Sequence, residues 1–307
     1  MPKYADDPAW SDVEPLPQND GGPNPLAAIA YTEEYSEAMS YLRAAMASND
    51  MSERVLDLTE DIINMNPAHY TVWLYRAKVL FNLNYDLRKE IDWLNDTALK
   101  HQKNYQIWQH RQTIINRLGS ADGETTFIGK MFSKDPKNYH VWSYRQWLVR
   151  RFELWDKGEI EAVEGMIKED VRNNSAWNHR WFLVFGRDSS AHKEQDVIDR
   201  ELEYAKKAIV LAPQNQSPWN YLRGVLRYAE LPVSHVKDFA FGFAPADSPG
   251  DVRSSYALDL LADVYEEQHR REEAVKALDL LATKYDPIRA RYWEYKKGLL
   301  EQPTAAA

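Results

Sequence analysis

Apolar and polar positions alternate with a helical period almost throughout the chain from about Leu26 onward. Five segments align on a tryptophan, and consecutive tryptophans are 35, 34, 35 and 42 residues apart. A steady period near 34 residues is the length of a repeated helix–turn–helix unit. The sequence therefore predicts a tandem array of helical hairpins, marked by Trp73, Trp108, Trp142, Trp177 and Trp219.

The residues that follow each tryptophan repeat as well. An aromatic residue or a histidine comes two positions later, and positions six and seven are apolar. The tryptophan and the residues three and seven positions later share one helix face, so each unit should bury a stripe led by its tryptophan. An arginine at the third position should join adjacent helices through an acidic residue; it recurs as Arg76, Arg111, Arg145 and Arg180.

A first helix is predicted before each tryptophan helix, for example over residues 52–64, 87–101 and 160–171. Two further helices are expected over 256–269 and 271–285, after an irregular connector over 232–255. Three prolines punctuate the turns and suit the start of a second helix, and three asparagines four residues before a tryptophan suit turn or cap positions. These residues are Pro67, Pro136 and Pro213, and Asn104, Asn138 and Asn173.

The ends of the chain differ from the array in composition. Six of the fifteen prolines lie in residues 1–25, which predicts an extended arm without an α-helix. Trp10, Val13 and Leu16 could anchor this arm on another surface, and a loose tail is the alternative that composition leaves open. The repeat domain is expected over residues 26–301 and a frayed tail over 302–307.

Composition narrows the function further. The net charge is −9, from 38 basic and 47 acidic residues, which disfavours a nucleic-acid partner. There is no cysteine, so neither a disulfide framework nor a thiolate site is expected. No run of apolar residues predicts a signal peptide or membrane insertion, so a cytoplasmic location is expected. Motifs for a zinc protease, a phosphate-binding loop and a serine hydrolase are absent, so we expect no complete active site in this chain alone.

Two adjacent repeats carry similar polar residues in the turn before the tryptophan helix. Their sequences are Lys103-Asn104-Tyr105-Gln106 and Lys137-Asn138-Tyr139-His140. Equivalent turns of a solenoid lie along one edge, where these side chains could form a polar cradle, and a lysine ammonium suits a phosphate. Ordinary turn chemistry is the alternative at this point.

The sequence resembles the alpha subunit shared by protein farnesyltransferase and protein geranylgeranyltransferase type I. The resemblance covers nearly the whole chain and includes the repeated NYxxWxxR pattern, the PLPQNDGGPNP arm and the stretch KEDVRNNSAWNHRWF. It implies an all-α fold, a crescent-shaped, right-handed α-α superhelix of tetratricopeptide-like hairpins. It also implies an obligate heterodimer with a beta subunit, which holds zinc and most of the prenyl pocket.

The resemblance implies a reaction and a set of site residues. The enzyme transfers farnesyl or geranylgeranyl from its diphosphate to the cysteine of a C-terminal CaaX motif in proteins such as small GTPases. Lys103 matches the family's diphosphate-binding lysine and is the implied catalytic residue. The resemblance also implies residues near the diphosphate, namely Tyr105, Asn138, Tyr139 and His140. It implies that Tyr70 and Gln106 lie at the peptide site.

Some questions stay open at this point. His69 stands where the repeat usually has asparagine, and we expect an altered turn contact there. Two other classes of protein compete with the enzyme subunit: a pure interaction scaffold, and the alpha subunit of Rab geranylgeranyltransferase, against which the N-terminal arm argues. The beta subunit, and with it the prenyl group, lies outside this chain, and the family implies magnesium for the farnesyl form.

Overall fold

Helices are the regular secondary structure of the described parts of the chain, and no β-strand occurs there. The structure is a computed structural model. It divides into two compact units, residues 1–152 and residues 153–307, which are described separately. The described ranges are 4–22, 25–27, 29–187, 194–245 and 250–301; the predicted tail over 302–307 lies outside them.

The first unit contains seven α-helices joined by short turns. After α1, the helices pack as three consecutive hairpins, α2 with α3, α4 with α5, and α6 with α7. The second helix of each hairpin carries the repeated tryptophan. The bounds are α1 Glu33–Ser48, α2 Glu53–Met65, α3 Tyr70–Asn82, α4 Leu87–Lys100, α5 Tyr105–Leu118, α6 Glu124–Phe132 and α7 Tyr139–Phe152.

The second unit continues with two hairpins of the same kind, α8 with α9 and α10 with α11, and then loses the tryptophan pattern. Its helices α13 and α14 form a further pair, and α15 packs on α14. The bounds are α8 Glu159–Glu169, α9 Asn174–Phe185, α10 Gln195–Leu211, α11 Gln216–Tyr228, α12 Lys237–Phe241, α13 Ser255–Glu267, α14 Arg271–Leu280 and α15 Ala290–Glu301.

The five repeated tryptophans form the core of the hairpins, which confirms the predicted apolar stripe. Each ring is at least 95% buried. Each indole N–H donates to a backbone carbonyl six residues earlier, at 2.8–3.2 Å, so the buried polar atom has a partner. The indole thereby fixes the turn that precedes its own helix as well as filling the core.

The repeated arginines bind buried glutamates of the next hairpin, as the predicted bridge through an acid requires. Arg111 makes two bonds of 2.7 Å to Glu124, and Arg76 makes bonds of 2.8 and 2.7 Å to Glu90. Arg180 binds Glu201 in the same two-pronged manner. A bidentate guanidinium–carboxylate pair satisfies both charges where water is excluded.

The same glutamates also bind the residue two positions after the tryptophan of their own hairpin. Tyr144 donates to Glu124 at 2.6 Å, and Tyr221 donates to Glu201 at 2.7 Å. His110 is 2.8 Å from Glu90 and His179 is 3.1 Å from Glu159. Glu90, Glu124 and Glu201 therefore each connect three helices. None of these glutamates, nor Glu159, was singled out from the sequence.

The asparagines before the second helices cap them, which confirms their predicted role. Asn104 accepts from the Ile107 amide at 3.0 Å and donates its own amide N–H to the Pro67 carbonyl of the preceding turn at 2.9 Å. That carbonyl also accepts the Trp73 indole N–H. Two successive turns are thus joined through one carbonyl that uses both of its lone pairs.

The same shared carbonyl recurs in both units. The Gln102 carbonyl accepts from Trp108 and Asn138, and the Val171 carbonyl accepts from Trp177 and Asn215. At the Pro213 carbonyl, the Ser254 hydroxyl takes the place of the asparagine, at 2.6 Å. Shared carbonyls of this kind set the positions of the turns that carry the predicted site.

The prolines punctuate the turns as predicted, but the prediction that they start the second helices is wrong by three residues. The second helices begin at Tyr70, Tyr139 and Gln216, three residues after Pro67, Pro136 and Pro213. The prolines lie in the turn because the asparagine or histidine cap must come between them and the helix. Their carbonyls accept the tryptophan indoles instead.

The N-terminal arm is not extended over its whole length, contrary to the prediction. Tyr4–Asp6 and Pro8–Trp10 form short 3-10 turns, the second capped by the Asp7 carboxylate. Trp10 is buried with its ring edge-on to Tyr41 at 5.4 Å. Residues 13–20 lack regular structure, and the Leu16 amide donates to the Ser40 carbonyl of α1. The described part of the arm is therefore bound to the first hairpins.

Two segments of the second unit depart from the predicted elements. The connector over 232–255, expected to be irregular, contains a 3-10 turn, Val233–Val236, and the short helix α12. Phe239 and Phe243 pack on the Trp219 ring, which explains why this apolar stretch folds back. The helix expected over 271–285 ends its α-helical part at Leu280 and continues as a π-helical turn, Leu281–Tyr285.

Candidate functional site

Three tyrosines occupy the first position of consecutive second helices in the first unit. Tyr70, Tyr105 and Tyr139 begin α3, α5 and α7, and their side chains are 67–69% exposed. A tyrosine combines an apolar ring with a polar hydroxyl, and exposure on this scale leaves both available to a ligand. All three were predicted at the site, Tyr70 toward the peptide and the others toward the diphosphate.

Lys103 lies in the turn between α4 and α5, directly before the Asn104 cap. Its side chain is 78% exposed, and its ammonium is 3.9 Å from the Asp135 carboxylate in the turn after α6. An ion pair of this length at the surface contributes little to stability. The ammonium therefore keeps most of its hydrogen-bonding capacity for an external anion.

His140 lies beside Lys103 and joins two of the repeats. Its ring is edge-on to the Tyr105 ring, with the centroids 4.4 Å apart, and is 5.7 Å from the ring of Tyr139. Burial lowers the pKa of His140, with the positive charge of Lys103 acting in the same direction and a hydrogen bond to the Lys103 backbone opposing them. The imidazole is thus biased toward its neutral form and oriented by the turn that carries Lys103.

Asn138 differs from the other residues that were predicted to contact the diphosphate. It is almost fully buried, and both ends of its amide are engaged. The oxygen accepts from the His140 amide at 2.9 Å, and the nitrogen donates to the Gln102 carbonyl at 3.2 Å. Asn138 therefore positions His140 and the turn of Lys103, since its side chain is not presented to solvent.

The two residues predicted to bind the peptide lie at the starts of α3 and α5. Gln106 is the second residue of α5 and is half-buried. Among the described residues, no hydrogen bond or ring contact joins Tyr70 or Gln106 to Lys103 or His140. The structure brings Lys103, Tyr105, Tyr139 and His140 together and places Tyr70 one hairpin earlier.

The first repeat has the altered turn contact that His69 predicts. His69 stands at the cap position of α3 but makes no side-chain cap bond. Its Nδ1 atom is buried without a hydrogen-bond partner in the described part of the chain. The turn before Tyr70 thus lacks the asparagine cap that fixes the turns of Lys103 and His140.

Asp135 is a site residue that the sequence analysis missed. One carboxylate oxygen accepts from the Lys137 amide at 3.0 Å and the other faces the Lys103 ammonium. The available signal was its place three residues before the cap position of a second helix, where Asp170 and Asn66 form the same turn bond. Because an acidic residue in a turn is common, that position alone does not point to Lys103.

Neither a metal site nor a membrane span is found in the chain as described. Over the described ranges, no group of three or more histidine, aspartate or glutamate side chains could hold a metal ion. Likewise, no described helix combines the length and the apolar character needed to cross a bilayer.

The repeats and the turn cluster define a class of protein. The family model of the protein prenyltransferase alpha subunit repeat matches five segments, which together cover more than half of the chain. These segments correspond to the five tryptophan hairpins and contain the whole of α2 to α9 and α11. They span residues 52–83, 87–118, 121–152, 156–186 and 198–229.

Relatives identify the branch of this class. The chain is 41% identical to the protein farnesyltransferase/geranylgeranyltransferase type-1 subunit alpha of Candida albicans, over 94% of this chain and 95% of the relative. It is 37% identical to the subunit of the same name from Dictyostelium discoideum, over 94% and 91%. The chain belongs to the alpha-subunit family of protein farnesyltransferase/geranylgeranyltransferase type 1 and is a prenyltransferase subunit.

A solved structure agrees with this assignment. Candida albicans protein geranylgeranyltransferase-I complexed with GGPP matches with a TM-score of 0.87 and 40% identity, over 94% of this chain and 98% of that chain. Identity to the geranylgeranyl transferase type-2 subunit alpha of Rattus norvegicus is only 25%, over 64% of this chain and 38% of the relative. The comparisons thus favour the type-1 branch over the type-2 branch, and the all-α repeat fold is confirmed.

Proposed function

We propose that this chain pairs with a beta subunit and that the heterodimer transfers farnesyl or geranylgeranyl from its diphosphate to the cysteine of a CaaX motif. The cluster of Lys103, Tyr105, Tyr139 and His140 is the observation that carries the proposal. It offers one exposed ammonium, one imidazole and two exposed phenols within two adjacent turns. These groups suit a diphosphate, which needs charge neutralisation and several hydrogen-bond donors.

Lys103 is the residue proposed to act on the leaving group. When the bond between the prenyl carbon and the diphosphate oxygen breaks, negative charge grows on that oxygen. A cation already positioned there stabilises the transition state more than the ground state and so raises kcat. The long contact with Asp135 can be exchanged for the diphosphate at little cost, because the pair is exposed to solvent.

His140 and the tyrosines are proposed to hold the diphosphate in place. The His140 ring is oriented by the Tyr105 ring and by its hydrogen bond to the Lys103 backbone, and its other ring nitrogen donates to the diphosphate once the bound anion favours protonation of the imidazole. The phenol hydroxyls of Tyr105 and Tyr139 add two donors. Asn138 contributes indirectly by fixing the turn, a role that its engaged amide supports.

Tyr70 and Gln106 are proposed to contact the CaaX peptide. The amide of Gln106 can donate to the terminal carboxylate of the peptide, and the exposed ring of Tyr70 can pack against its apolar side chains. Both residues lie at helix starts on the first unit, where backbone N–H groups favour a carboxylate.

The remaining parts of the proposal rest on the family. Zinc, held by the beta subunit, would supply activation of the cysteine thiol as a thiolate. Magnesium is proposed for the farnesyl form only, and small GTPases with a CaaX end are the proposed protein substrates. A cytoplasmic location stays a prediction from the sequence.

The decisive variant is Lys103→Ala in the heterodimer reconstituted with its beta subunit. We expect heterodimer formation to be unchanged and kcat for prenyl transfer to fall by about 10²–10³-fold, by analogy with the loss of one oxyanion stabiliser. Lys130→Ala is the matched control, since Lys130 is an exposed lysine on the neighbouring helix α6 without a described ion pair. It should transfer at the wild-type rate.

Each alternative has its own outcome. If Lys103→Ala transfers the prenyl group as fast as Lys130→Ala does, Lys103 has no catalytic role. A chain that copurifies with no zinc-binding helical partner would support the scaffold hypothesis instead. Transfer to a CaaX peptide without an escort protein would separate the proposed enzyme from the Rab-directed one.

A further inference from the structure

Asp135 is held in place by the turn that joins α6 to α7. One carboxylate oxygen accepts from the Lys137 amide at 3.0 Å, and the backbone of Asp135 bonds to the Met131 carbonyl and the Asn138 amide. The other carboxylate oxygen is 3.9 Å from the Lys103 ammonium in the neighbouring turn. The carboxylate therefore has a fixed position, whereas the lysine is 78% exposed on a flexible four-carbon chain and can move.

The fold does not require a negative charge at this position of the turn. The corresponding residue of the first hairpin is Asn66, whose amide oxygen accepts the same turn bond from the Ala68 amide at 3.2 Å. His101 and Ala212 stand at this position, three residues before the cap, in two further hairpins. An exposed ion pair of 3.9 Å also adds little to stability. Folding therefore does not account for the charge of Asp135.

The proposed reaction brings further negative charge next to this carboxylate. The thiolate sulphur bonds to the prenyl carbon, the bond from that carbon to the diphosphate oxygen breaks, and the electron pair of the broken bond leaves with the oxygen. The free diphosphate thus gains a negative charge that its ester did not have. The ion pair with Lys103 is exchanged at little cost, but the carboxylate cannot withdraw. It therefore repels both anions, and it repels the product more strongly than the substrate.

We propose that Asp135 is a fixed counter-charge that weakens the binding of the free diphosphate product more than that of the prenyl diphosphate. The inference rests on the proposed function, because it needs a diphosphate at the Lys103 cluster. It adds an affinity-determining residue to the reaction. Asp135 competes with the diphosphate for one ammonium and pairs with it again when the product leaves.

Inhibition by inorganic diphosphate tests the inference in the heterodimer reconstituted with its beta subunit. Asp135→Asn removes the charge, and its amide oxygen can still accept from the Lys137 amide, as the asparagine of the first hairpin does. We expect the inhibition constant of inorganic diphosphate to fall by about 10-fold and the dissociation constant of the prenyl diphosphate to fall by only about 3-fold.

Asp122→Asn is the matched control for the removal of one negative charge. Asp122 lies beyond the far end of α5, and its exposed carboxylate is 3.8 Å from the Arg88 guanidinium. This ion pair has nearly the same length as that of Asp135, but it belongs to the opposite end of the hairpin. The control should leave both constants at their wild-type values.

Ionic strength separates an effect of charge from an effect of shape. The difference between Asp135→Asn and the wild type should shrink as salt is added, because salt screens exposed charges. The rate of a single turnover should not fall. A purely structural Asp135 would instead give a slower reaction and weaker inhibition at every salt concentration. Unchanged or weaker inhibition, or equal tightening of substrate and product, would overturn the inference.

The same measurements separate the inference from the proposed function. If Lys103→Ala weakens inhibition by inorganic diphosphate and Asp135→Asn leaves it as in the wild type, the Lys103 cluster binds diphosphate and only the inference is wrong. If neither variant changes the inhibition constant, both the inference and the proposed role of the cluster are wrong.

Discussion

Glu124 is the centre of a buried ionic cluster whose removal has a calculable cost. Its carboxylate accepts two bonds of 2.7 Å from Arg111 and one of 2.6 Å from the Tyr144 hydroxyl, and all three residues are nearly inaccessible. Glu124→Gln keeps the size of the side chain and replaces one oxygen by an NH₂ group. The new group must face a guanidinium N–H or the hydroxyl, so at least one donor meets a donor.

The cost follows from this geometry. One charge-assisted hydrogen bond is lost, worth about 1.5–3 kcal/mol, and the Arg111 guanidinium remains buried without a counter-charge. Breaking a buried pair by neutralising one partner typically costs about 3–5 kcal/mol in total. We expect the free energy of unfolding of Glu124→Gln to fall by that amount. The loss would be a large share of the stability of an ordinary domain.

Equilibrium unfolding in urea measures this loss. The full chain is followed at pH 7 by tryptophan fluorescence and by circular dichroism, and the slope against urea concentration should match that of the wild type. Glu203→Gln is the control, because the Glu203 carboxylate is 58% exposed and pairs only with Lys206 in the described structure. It should change stability by less than about 1 kcal/mol. Equal unfolding midpoints for the two variants would refute the view that the array depends on its buried charges.

Three further outcomes are expected. Burial lowers the pKa of His110 despite its bond to Glu90. As the pH falls, the histidine of the unfolded chain therefore takes up a proton before that of the folded chain does. Stability that is present above about pH 6.5 is lost as the pH falls below that value. In urea unfolding, His110→Tyr should reduce this loss of stability between pH 7 and 5.5, because a tyrosine donates to the equivalent glutamate in two other hairpins. An unchanged dependence of the free energy of unfolding on pH would contradict this. Trp142→Ala should cost about 3–5 kcal/mol as a cavity in the core, so a wild-type melting curve would show that the ring is not structural. Asn104→Ala should cost about 2 kcal/mol, from a lost cap and a lost bond between turns, whereas Asn64→Ala should cost less than about 0.5 kcal/mol; equal costs would argue against the shared carbonyl.

The features that could be predicted from the sequence are those that recur at a fixed distance from the tryptophan. The buried indoles, the arginine bridges and the asparagine caps all lie within one helix and the turn before it. Local spacing therefore determines their faces. The site residues Lys103 and His140 became candidates for the same reason, since they occupy corresponding turns of adjacent repeats.

The glutamate partners were missed because their distance from the arginine varies. Arg76 and Glu90 are 14 residues apart, Arg111 and Glu124 are 13 apart, and Arg180 and Glu201 are 21 apart. The constant distance is found between each glutamate and the residue that follows it in the same hairpin. Each glutamate precedes the histidine or tyrosine that binds it by 20 residues in all four hairpins concerned.

Other features needed the third dimension. Asn138 was predicted to contact a diphosphate, yet its burial depends on the neighbouring turn that offers the Gln102 carbonyl. Asp135 became relevant only through its distance to Lys103. The helix α12 is five residues long, too short for an amphipathic period to reveal it, and forms because its phenylalanines find the Trp219 ring.

The constant separation of 20 residues divides each of these four hairpins into a rigid cassette and an adjustable spacer. The cassette runs from the buried glutamate to its histidine or tyrosine, and adding one residue to either of its helical segments would turn one of the two side chains by about 100° around its helix. The spacer between the arginine and the next glutamate has already absorbed several extra residues before Glu201 without disturbing the bond to Tyr221. Natural insertions and engineered fusions in this array should therefore be accepted in the spacers and rejected in the cassettes.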